Sequence, residues 1–203
     1  FNSFTHLSLV HTQVINASLF NTAIPAIIIL LCFLFKIEKT NKYQIVGLII
    51  SVLGILSIIT RLNLEIIFSL NFNKGDLIMI GGVISWGLYS AFLKRKKFDL
   101  PLLTLVQVLC TFGLIFIFPQ FMYEFVQGQK IEINENLFYI LIFLALFPSI
   151  GSYYCWAGAV SIIGANRAGI FLSLIPLFST LMAIFFYNEQ FQFFHLIGAI
   201  LII

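Results

Sequence analysis

The chain has 203 residues, of which 61% are hydrophobic and 9% charged, and its formal net charge is +3. Water-soluble domains carry about 25% charged residues, so this chain has too few polar side chains to cover a water-facing surface. Its mean hydropathy of +1.06 indicates that lipid surrounds most of it, which excludes a soluble globular domain.

Six stretches are long and apolar enough to cross a bilayer core, which takes about 20 residues of helix. In chain order they are 14–36, 44–60, 76–93, 101–121, 137–160 and 168–187. Residues 1–11 and 192–203 resemble parts of two further helices. Because backbone groups in lipid must bond within their own segment, the sequence predicts an all-α integral membrane protein.

The connectors between these stretches alternate in charge. Residues 36–42, residues 94–99 and the connector near 161–167, which ends at Arg167, together hold eight basic residues and two acidic ones. The other three connectors hold three basic residues and six acidic ones. Lys and Arg are enriched in cytoplasmic loops, so the first group is predicted to face the cytoplasm of a multi-pass protein in a bacterial inner membrane.

Two segments share Pro, Glu and Gly at the same spacing, 151 residues apart. The copies carry Pro25, Glu38 and Gly47, and Pro176, Glu189 and Gly198. Five predicted spans separate the copies, and an odd number turns the second copy over in the membrane. Inverted repeats of this kind are typical of secondary transporters. The sequence therefore predicts a helical bundle with a pseudo-two-fold axis in the membrane plane.

The position of the repeat also predicts a longer parent protein. Three spans precede the second copy, and only residues 1–11 stand in the matching place before the first. We therefore expect roughly 75 further residues before Phe1 and about ten after Ile203, and ten helices in two inverted sets of five.

The stretch GDLIMIGGVISWGLYSAFLKRK (75–96), together with both Pro/Glu/Gly blocks, resembles the EamA-type branch of the drug/metabolite transporter superfamily. The Gly75–Asp76 pair and the Ser85–Trp86 pair with Tyr89 are specific parts of the likeness. One departure is that the small residue expected before each block-end Glu is Ile37 in the first copy and Asn188 in the second.

This resemblance implies that residues 1–60 are the end of a first repeat and residues 76–203 a second repeat, truncated in its last helix. It implies a carrier of small organic metabolites, amino-acid-like or drug-like, with a central cavity. The predicted partners are a small-molecule substrate and the lipid bilayer. A homo-oligomer is left open, and neither a cofactor nor a nucleic acid is expected.

Pro25 and Pro176 are expected to interrupt their helices, because proline lacks an N–H and clashes with the preceding turn. Each is interpreted as a hinge beside the substrate path, with a simple packing kink as the alternative. Asn21 and Thr22 precede the first kink, and Ser173 is the repeat-mate of Thr22. These side chains either bond a neighbouring helix or line the path.

Aromatic residues give the remaining path candidates, Trp86 and Tyr89 in one span and Tyr153 and Trp156 in another. These residues lie in the middle of their spans, so they do not belong to the aromatic belt at the level of the lipid headgroups. They suit either a cavity wall or the packing of one helix against another. Stripes of small residues, such as Gly151, Cys155 and Ala159, are interpreted as helix-packing faces. Glu38 and Glu189, with Gly47 and Gly198, are interpreted as markers of helix ends and of the fold.

No acidic or basic residue is expected deep inside a span, and neither a metal-ligand set nor a nucleophile–base pair is recognisable. The sequence therefore predicts no catalytic or metal site.

An integral-membrane enzyme would need clustered His, Asp or Glu. A non-transporting scaffold or sensor would keep the fold but fill the cavity with large apolar side chains. A channel would need a polar stripe along its pore.

Overall fold

The computed structural model describes residues 1–63, 65–68, 73–95, 100–128, 135–187, 190 and 192–203. The described residues are helical where they form regular structure, which confirms the predicted all-α fold class. Within the part of the chain that the structure describes, six helical spans are long and apolar enough to cross a membrane, as predicted. They are Asn16–Leu34, Lys42–Thr60, Lys74–Lys94, Leu102–Val126, Glu135–Ile163 and Ala165–Phe186.

Several of these spans consist of more than one helical segment. The α-helices are α1 (Asn2–Leu9), α2 (Val14–Thr22), α3 (Ile24–Leu34), α4 (Lys42–Thr60), α5 (Glu65–Phe68), α6 (Lys74–Lys94), α7 (Leu102–Val126), α8 (Glu135–Leu144), α9 (Ser152–Ile163), α10 (Ala165–Phe171), α11 (Ile175–Tyr187) and α12 (Phe193–Ile202). A π-helical segment, Ala145–Gly151, joins α8 to α9, and a 3₁₀ turn, Leu172–Leu174, joins α10 to α11.

The chain divides into two compact units, one of Phe1–Arg95 with Ile163–Ile203 and one of Lys96–Ile162. In the first unit α6 is central and packs against α1, α2 and α3. Met79 of α6 and Ile28 of α3 are fully buried. A side chain at Gly87 would place its Cβ 2.7 Å from Cγ2 of Ile27, so glycine allows α3 to lie close to α6.

The two spans that carry the repeat prolines, Pro25 and Pro176, are each interrupted just before the proline. The first breaks at Ala23, and Pro25 is the second residue of α3. The second passes through the 3₁₀ turn, and Pro176 is the second residue of α11. Proline is tolerated in the first turn of a helix, where its missing N–H has no intrahelical partner to lose. Each span is thus two stacked segments.

The two repeat glycines lie in different surroundings. Gly198 of α12 packs against α4, where an added Cβ would lie 2.3 Å from Cγ1 of Ile58 and 2.9 Å from the carbonyl oxygen of Gly54. An added Cβ at Gly47 would meet no described atom within 4 Å. Helix α4 therefore packs closely against α12 at Gly54, whereas Gly47 lies outside this contact.

The second unit contains α7, α8, the π-helical segment and α9. Its predicted small-residue face does not form a packed contact, because Cys155 is exposed and Gly151 and Ala159 are partly exposed. The span Glu135–Ile163 has no buried residue in its most apolar window. Apolar side chains facing lipid need no protein cover, so a small-residue spacing alone does not identify a helix–helix contact.

Candidate functional site

A cavity of about 230 Å³ lies in the first unit, where the two interrupted spans face each other. It is bounded by the end of α2, the start of α3, the 3₁₀ turn and the start of α11. Its lining residues are Phe1, Ser18, Asn21, Thr22, Ile24, Pro25, Ile55, Trp86, Leu172, Ser173, Ile175 and Pro176.

Most of this lining consists of repeat-mates that meet across the cavity. Four pairs related by the 151-residue offset contribute eight of the twelve residues. The pairs are Asn21 with Leu172, Thr22 with Ser173, Ile24 with Ile175, and Pro25 with Pro176. The cavity therefore lies where the two copies of the repeat come together.

Two buried polar atoms in the lining have no hydrogen-bond partner among the described residues. They are Oδ1 of Asn21 and Oγ of Ser173, whose side chain is only 2% exposed. Thr22 differs, because its hydroxyl donates to the carbonyl oxygen of Leu19 at 2.7 Å. Buried polar atoms are normally paired, so unpaired ones in a cavity wall are suited to a water molecule or a ligand.

Aromatic rings close one side of the cavity. The ring of Trp86 lies 5.2 Å from that of Phe1 and 5.4 Å from that of Tyr89, measured between centroids. Trp86 lines the cavity, whereas Tyr89 packs behind it. Tilted aromatic pairs at these distances stabilise each other by about 0.5–1.5 kcal/mol beyond area burial, which fixes the position of the indole.

Six of the nine predicted path and hinge residues lie together in this cavity. Of the remaining three, Tyr153 and Trp156 belong to the second unit. The sequence prediction missed the polar residue Ser18 and several apolar residues of the lining. Ser18 precedes Asn21 and Thr22 by three and four residues, so helical spacing places it on their face and could have identified it.

Glu38, in the connector after α3, is joined by hydrogen bonds to the start of α10. Its carboxylate accepts hydrogen bonds from the backbone N–H of Ala165 at 2.8 Å and of Asn166 at 3.0 Å. Gly164, at φ +89°, precedes them, and a Cβ there would lie 2.6 Å from Oε1 of Glu38. The carboxylate thus caps α10. Glu189 lies outside the described residues, as does most of the 94–99 loop.

Asp76 is a buried acidic residue at the boundary of a span, where the predicted span 76–93 begins. It is 1% exposed near the start of α6, where it forms a reciprocal capping box with Asn73. Its carboxylate also accepts hydrogen bonds from the Thr12 hydroxyl at 2.5 Å and from the Asn16 amide at 3.4 Å. This network ties α2 and the segment before it to α6.

The protein-family comparison identifies the chain. Residues 73–203, more than half of it, match the model of the EamA-like transporter family. The chain belongs to the EamA-like transporter family. The expected membership of the drug/metabolite transporter superfamily is therefore confirmed.

Curated relatives of this EamA-like chain carry only general names. It is 25% identical over 203 residues to the uncharacterized transporter YyaM of Bacillus subtilis and covers 66% of that protein. It is 28% identical to an uncharacterized transporter of Archaeoglobus fulgidus and covers 68% of it. The chain thus spans about two-thirds of the length of these relatives.

A solved crystal structure shares the fold of this EamA-like chain. It superposes with a TM-score of 0.77 over 98% of this chain and 68% of the other, at 15% sequence identity. At that identity the match establishes the helical arrangement alone.

Proposed function

We propose that this EamA-like protein is a secondary carrier of small organic metabolites and that solute binds in the cavity between the two interrupted spans. The observation that carries the proposal is the meeting of four repeat-mate pairs around one cavity. Inverted-repeat carriers bind substrate at the repeat interface, beside discontinuous helices. The family membership and the transporter names of the relatives support the same activity.

The unpaired atoms define the polar contacts of the proposed solute. Oδ1 of Asn21 can accept a hydrogen bond from the solute, and the Ser173 hydroxyl can donate or accept one. The indole of Trp86 and the neighbouring aliphatic side chains would contact its apolar part. Sites with apolar walls and a few fixed polar groups bind amphipathic organic molecules, which includes amino-acid-like and drug-like solutes.

The interrupted spans supply the proposed motion. At Ala23 and at Leu172–Leu174 the α-helical hydrogen-bond ladder is broken, so one segment of each span can tilt relative to the other. Tilting of the paired segments would open the cavity to one face of the membrane at a time. We further propose that residues 36–42 and the start of α10 face the cytoplasm of a bacterial plasma membrane.

Side-specific thiol labelling tests alternating access. Thr22→Cys and Ser173→Cys are placed singly in the full chain lacking its three native cysteines. A membrane-impermeant thiol reagent is then applied from each side, with and without candidate solutes. We expect labelling from both sides and protection by a transported solute. Ser51→Cys, which is buried outside the cavity, should stay unlabelled. Labelling from one side only, unchanged by any solute, would contradict the proposal.

A non-transporting scaffold or sensor is the alternative function for a protein of this fold. It predicts a cavity filled by large apolar side chains, and the observed lining with unpaired polar atoms does not favour it. An integral-membrane enzyme would require a reactive cluster in or near the cavity, and the lining holds none of the required His, Asp or Glu among the described residues. An export screen in cells expressing the complete gene would separate a carrier from both.

A further inference from the structure

A second, larger cavity runs along α3 and the start of α4. It is an open groove of about 960 Å³ whose walls are mainly apolar. Leu30 and Phe33 line it from α3, and Ile45 and Leu48 line it from α4. Leu30 is 48% exposed and Phe33 66% exposed, so this wall is accessible from the surroundings of the protein.

One end of this groove is basic. Lys36 and Lys39 line it, and both are exposed. Thr40 lines it too, and its hydroxyl oxygen is buried without a hydrogen-bond partner among the described residues. Glu38 lines this end as well, and its carboxylate oxygens accept the N–H groups at the start of α10. Two lysines, one carboxylate and an unpaired hydroxyl therefore lie at this end of the apolar channel, and their formal charges leave it positive by one.

The backbone at Lys36 ends α3 in a left-handed conformation. Lys36 has φ +53° and occupies the position after the C-cap of α3 that is usually glycine. The N–H of Ile37 donates to the carbonyl of Cys32 at 2.8 Å and that of Lys36 donates to the carbonyl of Phe33 at 3.1 Å, which completes a Schellman motif. This conformation is less favourable for lysine than for glycine, and it places Lys36 at the end of the groove.

We propose that this groove, which we call the α3–α4 groove, binds one anionic phospholipid. An acyl chain would lie against Leu30, Phe33 and Ile45. The phosphate would lie between Lys36 and Lys39 and accept a hydrogen bond from the Thr40 hydroxyl. Basic pockets between transmembrane helices recognise anionic headgroups in this way. The charge and the apolar walls together select a phospholipid, because an inorganic phosphate would leave the channel uncovered.

Retention of lipid by the purified full chain tests this site. The protein is loaded with a mixture of phosphatidylglycerol and phosphatidylcholine in detergent, and the bound lipid is measured by native mass spectrometry. We expect Lys36→Gln and Lys39→Gln each to reduce the preference for phosphatidylglycerol about fivefold, the effect of one lysine at an anionic lipid surface. Thr40→Val should reduce it as well.

Lys42→Gln is the matched control, since Lys42 belongs to the same basic segment but lies over the ring of Tyr43, with Nζ 5.5 Å from its centroid. This variant should keep the preference. Leu30→Trp, which would fill the channel, should reduce binding of both lipids. Lys36→Gly separates folding from binding, because it should raise the melting temperature while lowering retention of phosphatidylglycerol. Equal effects of all three lysine variants, or binding unchanged by Leu30→Trp, would overturn the proposal.

Discussion

At the scale of single residues, the two copies of the repeat place different chemistry around the cavity. Asn21 and its repeat-mate Leu172 both line it, so one wall offers an amide where the other offers an isobutyl group. A buried amide oxygen without a partner costs stability and can be compensated by a ligand. This asymmetry fits the proposed role of Asn21 in solute binding.

Asn21→Leu should therefore weaken transport without weakening the fold. We expect the KM for a transported solute to rise about tenfold, the value of one hydrogen bond to a buried polar group. The melting temperature should stay the same or rise, because an unpaired buried acceptor is removed. Solute uptake into proteoliposomes and thermal unfolding measure the two effects.

The double variant Asn21→Leu/Leu172→Asn serves as the control, since it moves the amide to the repeat-mate position. Partial recovery of transport is expected if the two walls are related by the repeat. Unchanged transport by Asn21→Leu alone would exclude the amide from the binding site.

The sequence predicted Thr22 and Ser173, which are repeat-mates, as candidate residues of the cavity. It did not predict whether each hydroxyl has a hydrogen-bond partner. Both carry a hydroxyl one turn before a proline, yet Thr22 bonds its own helix whereas Ser173 has no partner among the described residues. That difference depends on the rotamer and on whether the turn is α-helical or 3₁₀, neither of which the repeat pattern specifies.

At the scale of helices, the cap that Glu38 provides for α10 should contribute measurably to stability. The N–H groups of Ala165 and Asn166 are buried and would lose their acceptors in Glu38→Ala. Loss of an N-terminal cap costs about 1–2 kcal/mol. Glu38→Gln keeps one acceptor oxygen and should cost less. Unfolding in a mild denaturant series gives both values, and equal stability of the two variants would contradict capping.

The helix pair α4 and α12 allows a matched comparison of repeat-mates. Gly198→Ala should destabilise the protein by about 1–3 kcal/mol, because its Cβ would overlap Ile58 and the backbone of α4. Gly47→Ala should be neutral or stabilising by about 0.5–1 kcal/mol, because the site is open and alanine favours helix. Thermal unfolding of the two variants measures this difference in stability. Similar destabilisation by both would show that Gly47 is also packed.

At the scale of the whole molecule, the spans were predictable because apolar length is a property of the sequence alone. The segments that interrupt the spans were harder to predict from the sequence. Pro25 and Pro176 predicted breaks, and both spans are broken just before the proline. The π-helical turn at Ala145–Gly151 and the exposed faces of the second unit were not predicted, because helix–helix contacts in lipid depend on shape and not on hydrophobicity.

The arrangement of the first unit also predicts its membrane topology. Glu38 bonds the start of α10, so residues 36–42 and Arg167 lie at the same end of this unit. The 19 residues of α4 rise about 28 Å between that end and Asn63, close to the thickness of a bilayer core. Cysteines at Lys42 and Arg167 should therefore react with an impermeant reagent from one side, and a cysteine at Asn63 from the other.

Because basic residues are enriched in cytoplasmic loops, we expect Lys42 and Arg167 to face the cytoplasm. Labelling of intact cells and of inside-out vesicles distinguishes the possibilities. If Lys42→Cys and Arg167→Cys react only in inside-out vesicles and Asn63→Cys only in cells, both the arrangement and the orientation are correct. The reverse pattern would invert the orientation and leave the fold intact. Labelling of Lys42→Cys and Arg167→Cys from opposite sides would contradict the helix arrangement itself, because one carboxylate could not then join their segments.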